Sequence, residues 1–143
     1  MSPIEVEIMR RKLAIIAENL AALKPIETIT KEEYIKDVYK RKATERLLQE
    51  LIEAAIDINS HMIVQSSKTA PDDYYESFIK VGELGIISSN LAEKLAPSAG
   101  LRNRLVHEYD LLEHSLVIEA VRMAGELYPR YINDIELYIL RKT

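Results

Sequence analysis

The sequence contains no cysteine, only four glycines and five prolines, and no long apolar run. The absence of cysteine excludes disulfides, thiolate metal sites and cysteine nucleophiles, and it is consistent with a cytoplasmic protein. No apolar stretch approaches the roughly 20 residues that a membrane-spanning helix needs. The N-terminal residues lack the basic and apolar segments of a signal peptide. We therefore expect a cytoplasmic protein that has no contact with a membrane.

The composition predicts a single all-α domain over residues 1–143. Apolar residues make up 48% of the chain and charged residues 29%, as in ordinary globular domains. Because strand-like alternation is absent and glycine and proline are scarce, we expect an up-and-down helical bundle with two long helices and short connecting helices. The net charge of −4 means that any contact with RNA must depend on a local cationic site.

Capping residues and prolines predict the first two long segments. Residues 2–5, Ser-Pro-Ile-Glu, form a capping box that begins a helix, and Pro25 marks its end. Residues 30–33, Thr-Lys-Glu-Glu, form a second capping box, which begins a helix reaching about Gln65. A straight helix of that size would be about 50 Å long, so we expect a bend or a break in it.

The second half of the chain is predicted to contain shorter helices with more interruptions, before a last long helix. A short helix capped by Asp72 or Asp73 is expected first, with an interruption at Gly82 and Gly85. A second short helix is expected from Ile86 to about Leu95. Residues 97–100, Pro-Ser-Ala-Gly, are predicted to be a further break. A last long helix is expected to begin near Ser115, with a kink at Pro129.

The segment that follows Gly100 carries side chains that can handle a phosphodiester. Its sequence over residues 102–109 is Arg-Asn-Arg-Leu-Val-His-Glu-Tyr. A guanidinium binds phosphate bidentately, so Arg102 could hold a scissile phosphate and its developing charge. An imidazole titrates near neutral pH, so His107 could take a proton from a ribose 2′-OH or return one to the leaving oxygen. With Asn103 binding the phosphate or orienting the imidazole, this set suits metal-independent RNA cleavage.

Helix geometry restricts how these side chains can cooperate. Asn103 and His107 share a helical face, but Arg102 and His107 diverge by about 140° if both are helical. Two such side chains cannot easily close on one phosphate. Either Arg102 lies on an irregular lead-in after Gly100, or the site is built across two copies of the helix. The second alternative predicts a twofold dimer with the motif at its interface.

A purely structural interpretation of these residues also stands. An arginine and a histidine near the start of a helix are common. Against it, a cation in the first turn of a helix opposes the helix dipole, so Arg102 and Arg104 are not where stability alone would place them. Arg104 is also a possible supporting residue of the site. Asp57 and His61, four residues apart on the long helix, form either a supporting network or a hydrogen-bonded core pair, and we favour the core pair. No histidine has a glutamate three residues before it, so the ferritin-like metal pattern is absent.

Two other groups of residues have simple structural interpretations. The basic stretch is interpreted as a solvated helix face, with contact to RNA or to a partner protein as the alternative. The tyrosines are interpreted as packing or rim residues. The two groups are Lys36, Lys40, Arg41, Lys42 and Arg46, and Tyr34, Tyr39, Tyr74, Tyr75 and Tyr109.

The motif and its surroundings resemble the HepT-type ribonuclease toxins of the HEPN superfamily. The spacing from Arg102 over four residues to His107, and over one more to Tyr109, is similar to the signature of that family. Residues 55–61 and 74–95 resemble its other helices, so the resemblance covers nearly the full chain. It implies a HEPN-like helical fold, a homodimer whose two motifs line a shared cleft, and RNA cleavage by Arg102 and His107 with Asn103 in support.

The resemblance also implies a partner and a means of control. The partner is a minimal nucleotidyltransferase antitoxin of the MntA type, which transfers AMP to the motif tyrosine, here Tyr109. Phosphate beside Arg102 would occupy the cation and repel RNA. No cofactor is implied. The alternative function is a non-catalytic, nucleotide-binding or regulatory helical subunit of a minimal nucleotidyltransferase, and the two readings differ in whether Arg102 and His107 converge in the dimer.

Overall fold

The computed structural model describes residues 1–67 and 69–143, and all regular secondary structure within them is helical, which confirms the all-α class. None of the described helices is long and apolar enough to cross a lipid bilayer. Two short 3-10 segments, Lys24–Thr28 and Tyr109–Leu111, accompany the α-helices. These are α1 (Pro3–Leu23), α2 (Lys31–Lys36), α3 (Val38–Ser67), α4 (Tyr74–Glu83), α5 (Ser89–Leu95), α6 (Ser98–His107) and α7 (His114–Lys142).

The first helix begins with the predicted capping box. The Glu5 amide donates to Ser2 Oγ over 3.2 Å, and the Ser2 amide donates to the Glu5 carboxylate over 2.7 Å. That backbone hydrogen bond stabilises the charged carboxylate and lowers the pKa of Glu5. The stabilisation is therefore present at neutral pH and is lost as the pH falls through the lowered pKa.

The predicted long second helix is broken at Asp37. Thr30 caps α2 as expected, by accepting a hydrogen bond from the Glu33 amide. Asp37 then leaves the helical region, with φ −109° and ψ 98°, and its carboxylate accepts from the Lys40 amide over 3.0 Å. The same residue therefore ends α2 and caps the start of α3. α3 and α7, of 30 and 29 residues, are the two expected long helices, and α1 with 21 residues adds a third.

α3 is the central element of the bundle, since α1, α2, α4 and α6 all pack against it. α7 closes the other side of the core by packing against α1, α2 and α5. Apolar side chains recur every three or four residues along α1, α3 and α7, so each helix presents one continuous apolar face. Fully buried members of these faces include Ile16, Leu48, Leu51, Ile52, Ile58, Met62, Ile135 and Ile139, and α4 adds Phe78 and Val81 to the same core.

A chain of buried hydrogen bonds crosses this core. The Tyr131 hydroxyl donates to Asn59 Oδ1 over 2.6 Å and lies 3.1 Å from the Ala55 carbonyl oxygen. Asn59 Nδ2 donates to Ser77 Oγ over 3.3 Å, and that hydroxyl donates to the Tyr74 carbonyl over 2.7 Å. Burial raises the pKa of Tyr131 well above its ordinary value, so the hydroxyl stays protonated. The chain joins α7, α3 and the first turn of α4.

The predicted interruption between the short helices is correct, but the second of them begins later than expected. α5 starts at Ser89 rather than at Ile86, because Ser88 Oγ accepts from the Leu91 amide and caps it. Gly85 adopts φ 73° in the turn, a backbone conformation that favours glycine. A Cβ at Gly82 would lie 2.5 Å from the Ala92 Cβ, so glycine allows α4 and α5 to approach closely.

The predicted break at residues 97–100 is wrong. α6 begins at Ser98, with Pro97 at the capping position, and Gly100 lies inside the helix. A glycine costs a helix only about 1 kcal/mol relative to alanine, and burial of Ala99 and Leu101 outweighs that cost. α6 ends at His107, so Tyr109 belongs to the following 3-10 turn. α7 begins one residue before the predicted start and continues through Pro129.

We predict that Tyr131→Phe destabilises the domain by about 1–3 kcal/mol, because it leaves a buried amide oxygen without its donor. Urea unfolding followed by circular dichroism would measure the free energy of unfolding. Tyr138→Phe is the matched control, since the Tyr138 hydroxyl lies near Ser66 in an exposed contact of 3.3 Å. The control should change the free energy by less than about 0.5 kcal/mol. Equal unfolding free energies for the two variants would contradict a structural role for the buried chain.

Candidate functional site

Helix α6 presents the motif residues on two different faces. Asn103, Arg104 and His107 are exposed, and with the exposed Gly100 they form one stripe along the helix, because they are spaced by three and four residues. Arg102 lies on the opposite side and faces α3. Since Arg102 is helical, the alternative that it lies on an irregular lead-in is wrong. Its divergence of about 140° from His107 therefore holds within one copy of the chain.

The Arg102 side chain is held by two residues from other helices. Its Nη2 and Nε donate to Glu53 Oε2 on α3, over 2.7 Å and 3.0 Å. The guanidinium carbon lies 5.2 Å from the centre of the Tyr74 ring, at the start of α4. Nη1 lies 3.4 Å from the Asn103 side-chain oxygen. Only 18% of the Arg102 side chain is exposed, so the guanidinium has a defined orientation before any ligand arrives.

Sequence reasoning missed Glu53 and assigned Tyr74 to packing or to a rim. The chain separates Glu53 from Arg102 by 49 positions. No local pattern marks one glutamate among several on α3. Tyr74 is 41% exposed, as a rim residue would be, and its ring contacts the guanidinium, a partner that the sequence did not indicate. Only the packing of α6 against α3 and α4 identifies both neighbours.

Neither Arg102 nor Arg104 lies in the first turn of α6, so the expected conflict of these cations with the helix dipole is wrong. Arg104 and His107 lie in the last turn of α6, where a positive charge interacts favourably with the helix dipole. Arg104 also lies at the rim of a mostly apolar cavity of about 240 Å³ beside α7, which Arg102 and His107 do not line. The supporting role of Arg104 stays a prediction.

Tyr109 is accessible at the end of the motif. It lies in the 3-10 turn after α6, and 55% of the residue is exposed. The ammonium of Lys42, near the start of α3, lies 5.0 Å from the centre of its ring. One member of the basic stretch therefore contacts the motif tyrosine rather than solvent alone. Another member, Arg46, pairs with Glu50 on the same helix over 3.2 Å.

Asp57 and His61 do not form the hydrogen-bonded core pair that we favoured. Asp57 is exposed and accepts a hydrogen bond from Lys12 on α1 over 2.9 Å. His61 Nε2 lies 4.0 Å from Glu5 Oε1, also at α1, and has no hydrogen-bond partner among the described residues. Both side chains project toward α1, because α1 packs along that side of α3. Their role in supporting the motif stays a prediction.

Comparisons with known proteins agree with this helical arrangement. A family model described as ribonuclease HepT-like matches residues 15–135. A tRNA nuclease HepT of Aphanizomenon flos-aquae (strain 2012/KM1/D3) is 39% identical over 140 residues, which cover 98% of this chain and 95% of the relative. An mRNA nuclease HepT of Shewanella oneidensis is 32% identical over 89 residues, which cover 62% of this chain and 67% of that relative.

A solved structure extends the similarity to the whole fold. The tri-AMPylated Shewanella oneidensis HEPN toxin, in complex with its MNT antitoxin, superimposes with a TM-score of 0.81 and 25% sequence identity. The match covers 96% of this chain and 99% of that one. The HEPN-like fold that the motif implied is therefore confirmed. From its sequence and its fold alike, this chain belongs to the HepT-like ribonuclease family.

Proposed function

We propose that this chain is the ribonuclease toxin of a toxin–antitoxin pair, and that Arg102 and His107 cleave RNA at a site shared by two copies. The observation that carries the proposal is the contrast between the two side chains on α6. Arg102 is fixed by Glu53 with 18% of its side chain exposed, whereas His107 is exposed at the end of the helix. An oriented cation and an accessible imidazole are the groups that phosphodiester cleavage requires.

The proposed reaction uses the RNA's own nucleophile. The ribose 2′-OH attacks the adjacent phosphorus, the bond to the 5′ oxygen of the next nucleotide breaks, and a 2′,3′-cyclic phosphate remains. One His107 imidazole takes the proton from the 2′-OH, and the imidazole of the second copy returns a proton to the leaving oxygen. Arg102 stabilises the negative charge that develops on the phosphorus oxygens, and Asn103 beside it binds the same phosphate. These groups supply every proton and charge, so the proposed cleavage is independent of metal ions.

The exposed stripe of α6 supports a homodimer. Gly100, Asn103, Arg104 and His107 share one accessible face. A Cβ at Gly100 would meet nothing within 4 Å in the same chain, so no internal packing requires a glycine there. A second copy of α6 approaching closely would require it. A twofold arrangement about this stripe would bring the His107 side chains of two copies to one cleft, which a single helix cannot do. Arg102 faces α3, so in this arrangement it would reach the phosphate through its Nη1, which lies 3.4 Å from the Asn103 side-chain oxygen at the margin of the stripe.

The antitoxin is proposed to act on Tyr109. In the Shewanella oneidensis structure the toxin is tri-AMPylated and bound to an MNT antitoxin. Here the Tyr109 hydroxyl would attack the α-phosphorus of ATP, pyrophosphate would leave, and the hydroxyl proton would pass to a base of the nucleotidyltransferase. The exposure of Tyr109 makes this attack possible. Lys42, 5.0 Å from the ring, offers a cation near the new phosphodiester.

We expect Arg102→Ala and His107→Ala each to lower RNA cleavage by about 100-fold or more, since each removes a group that acts in the transition state. Cleavage of bulk tRNA by purified protein, with detection of cyclic phosphate ends, measures the effect. Arg10→Ala is the control, because Arg10 lies on α1 and pairs with Glu136.

Activity should persist in EDTA, and its loss there would contradict the metal-independent reaction. Variants of Arg102 or His107 that cleave as well as wild type would overturn the assignment. A wild-type chain that binds tRNA without cutting it would favour the regulatory subunit.

Mass spectrometry after co-expression with a nucleotidyltransferase of the MNT type should find AMP on Tyr109. Tyr109→Phe should carry none and should escape neutralisation while it still cleaves RNA, because the phenyl ring keeps the packing but lacks the nucleophile. Tyr39→Phe is the matched control, since Tyr39 is 85% exposed. AMP at Tyr39, or a neutralised Tyr109→Phe variant, would refute this mode of control.

Gly100→Leu should convert the dimer to a monomer without unfolding the chain. The site is open within one chain, and leucine raises helix propensity by roughly 0.5–1 kcal/mol relative to glycine. Sedimentation velocity gives the mass, and RNA cleavage should fall with it. Ala22→Leu adds comparable bulk to an exposed position of α1 and should leave the mass unchanged. A Gly100→Leu variant with the wild-type mass would argue against the proposed interface.

A further inference from the structure

We propose that Glu53 and Tyr74 are positioning residues for RNA cleavage, which orient the Arg102 guanidinium and determine which of its edges meets the phosphate. This inference rests on the proposed function. Neither residue belongs to the motif, and each comes from a different helix. Their contacts with Arg102 define the orientation of the guanidinium in two independent ways.

Glu53 determines which N–H groups remain available. A guanidinium has two edges that can bind an oxyanion bidentately, one formed by Nε and Nη2 and the other by Nη1 and Nη2. Glu53 Oε2 occupies the first edge, with contacts of 3.0 Å and 2.7 Å. The second edge carries the N–H groups left for a phosphate. Asn103 Oδ1 lies 3.4 Å from Nη1, which places the Asn103 amide next to that edge.

Tyr74 determines the plane of the guanidinium. Its ring centre lies 5.2 Å from the guanidinium carbon, so the cation rests against an aromatic face. The ring itself is anchored at the start of α4. Asp73 caps that helix by accepting from the Glu76 amide over 2.7 Å, and the Tyr74 carbonyl accepts from Ser77 at the end of the buried hydrogen-bond chain. The core therefore supports the position of the ring.

The Glu53 carboxylate is expected to weaken the binding of RNA, although it orients Arg102 for the reaction. It partly neutralises Arg102, so a phosphate of RNA meets a weaker cation than an unpaired arginine would present. It also holds the guanidinium where the transition state needs it, and small errors of placement slow a reaction strongly. Removal of the carboxylate should therefore lower kcat while KM stays equal or falls. Loss of a residue that served only the stability of the fold would not lower kcat while leaving KM equal or lower.

The first test compares Glu53→Ala with wild type in the cleavage of bulk tRNA. We expect kcat to fall about tenfold or more, with KM unchanged or lower. Glu50→Ala is the matched control, because Glu50 also lies on α3 and pairs with an arginine, Arg46, outside the motif. Tyr74→Phe should keep wild-type kcat, since the aromatic face remains, whereas Tyr74→Leu should lower it.

The second test measures binding without cleavage. In a His107→Ala background, Glu53→Ala should bind bulk tRNA more tightly than the parent. The slope of log affinity against log salt concentration should also become steeper, by an amount that corresponds to up to about one additional phosphate contact. Glu53→Gln keeps a hydrogen-bond acceptor but loses the charge. It should show the same gain in affinity with a smaller loss of kcat, and it covers the case in which Glu53→Ala fails to fold.

The outcomes separate this inference from the function on which it rests. If wild type does not cleave tRNA, or Arg102→Ala still does, the proposed function fails. If those two results are as expected, the positioning role is overturned by a Glu53→Gln variant with kcat within about twofold of wild type and unchanged affinity. It is also overturned by a KM that rises in Glu53→Ala or Glu53→Gln, or by a Tyr74→Leu variant as active as Tyr74→Phe.

Discussion

The buried hydrogen-bond chain through Asn59 is the interaction on which the arrangement of this molecule depends. Unpaired polar groups inside an apolar core are costly, so Tyr131, Asn59 and Ser77 can be buried only in the register that lets each find its partner. Apolar packing alone would tolerate helices that slide or rotate slightly. The polar chain fixes α7 and α4 against α3, and it ends at the carbonyl of Tyr74. The position of the ring beside Arg102 thus follows from the core.

Helix α6 has one side packed against the core and one side exposed to solvent. Leu101 and Leu105 are buried, and Arg102 is held by Glu53 on α3. The opposite stripe, with His107 at its end, is exposed. In the function we propose, the two sides of α6 carry residues with different roles. The arginine needs a defined geometry before RNA binds, whereas the histidine must be free to approach a substrate held between two copies.

The proposed control by modification of Tyr109 also acts on the exposed side of the molecule. Tyr109 lies just beyond the helix, exposed and beside Lys42, and at the His107 end of α6. A modification there would place negative charge and bulk at the mouth of the proposed cleft without disturbing the core. Neutralisation would then leave the folded toxin intact. The acidic net charge of the chain is consistent with this view, because RNA binding would depend on a few local cations that added phosphates can offset.

Much of the fold was predictable from local sequence, because helix caps and apolar periodicity act over a few residues. The cap at Ser2 that begins α1, the cap at Thr30 and the interruption near Gly85 follow from short-range hydrogen bonds and backbone preferences. The motif residues were also identified as candidates from sequence, through their chemistry and their spacing, and their roles stay predictions. The failures have tertiary causes. Gly100 lies inside α6 because its neighbours are buried, and Asp57 and His61 face α1 because that helix packs beside them. Sequence by itself therefore determined the all-α class, several helix caps, the family and the candidate residues of the motif. Only the tertiary structure decided that Arg102 rests between Glu53 and Tyr74, because that contact joins residues 49 positions apart, and only the packing of three helices brings them together.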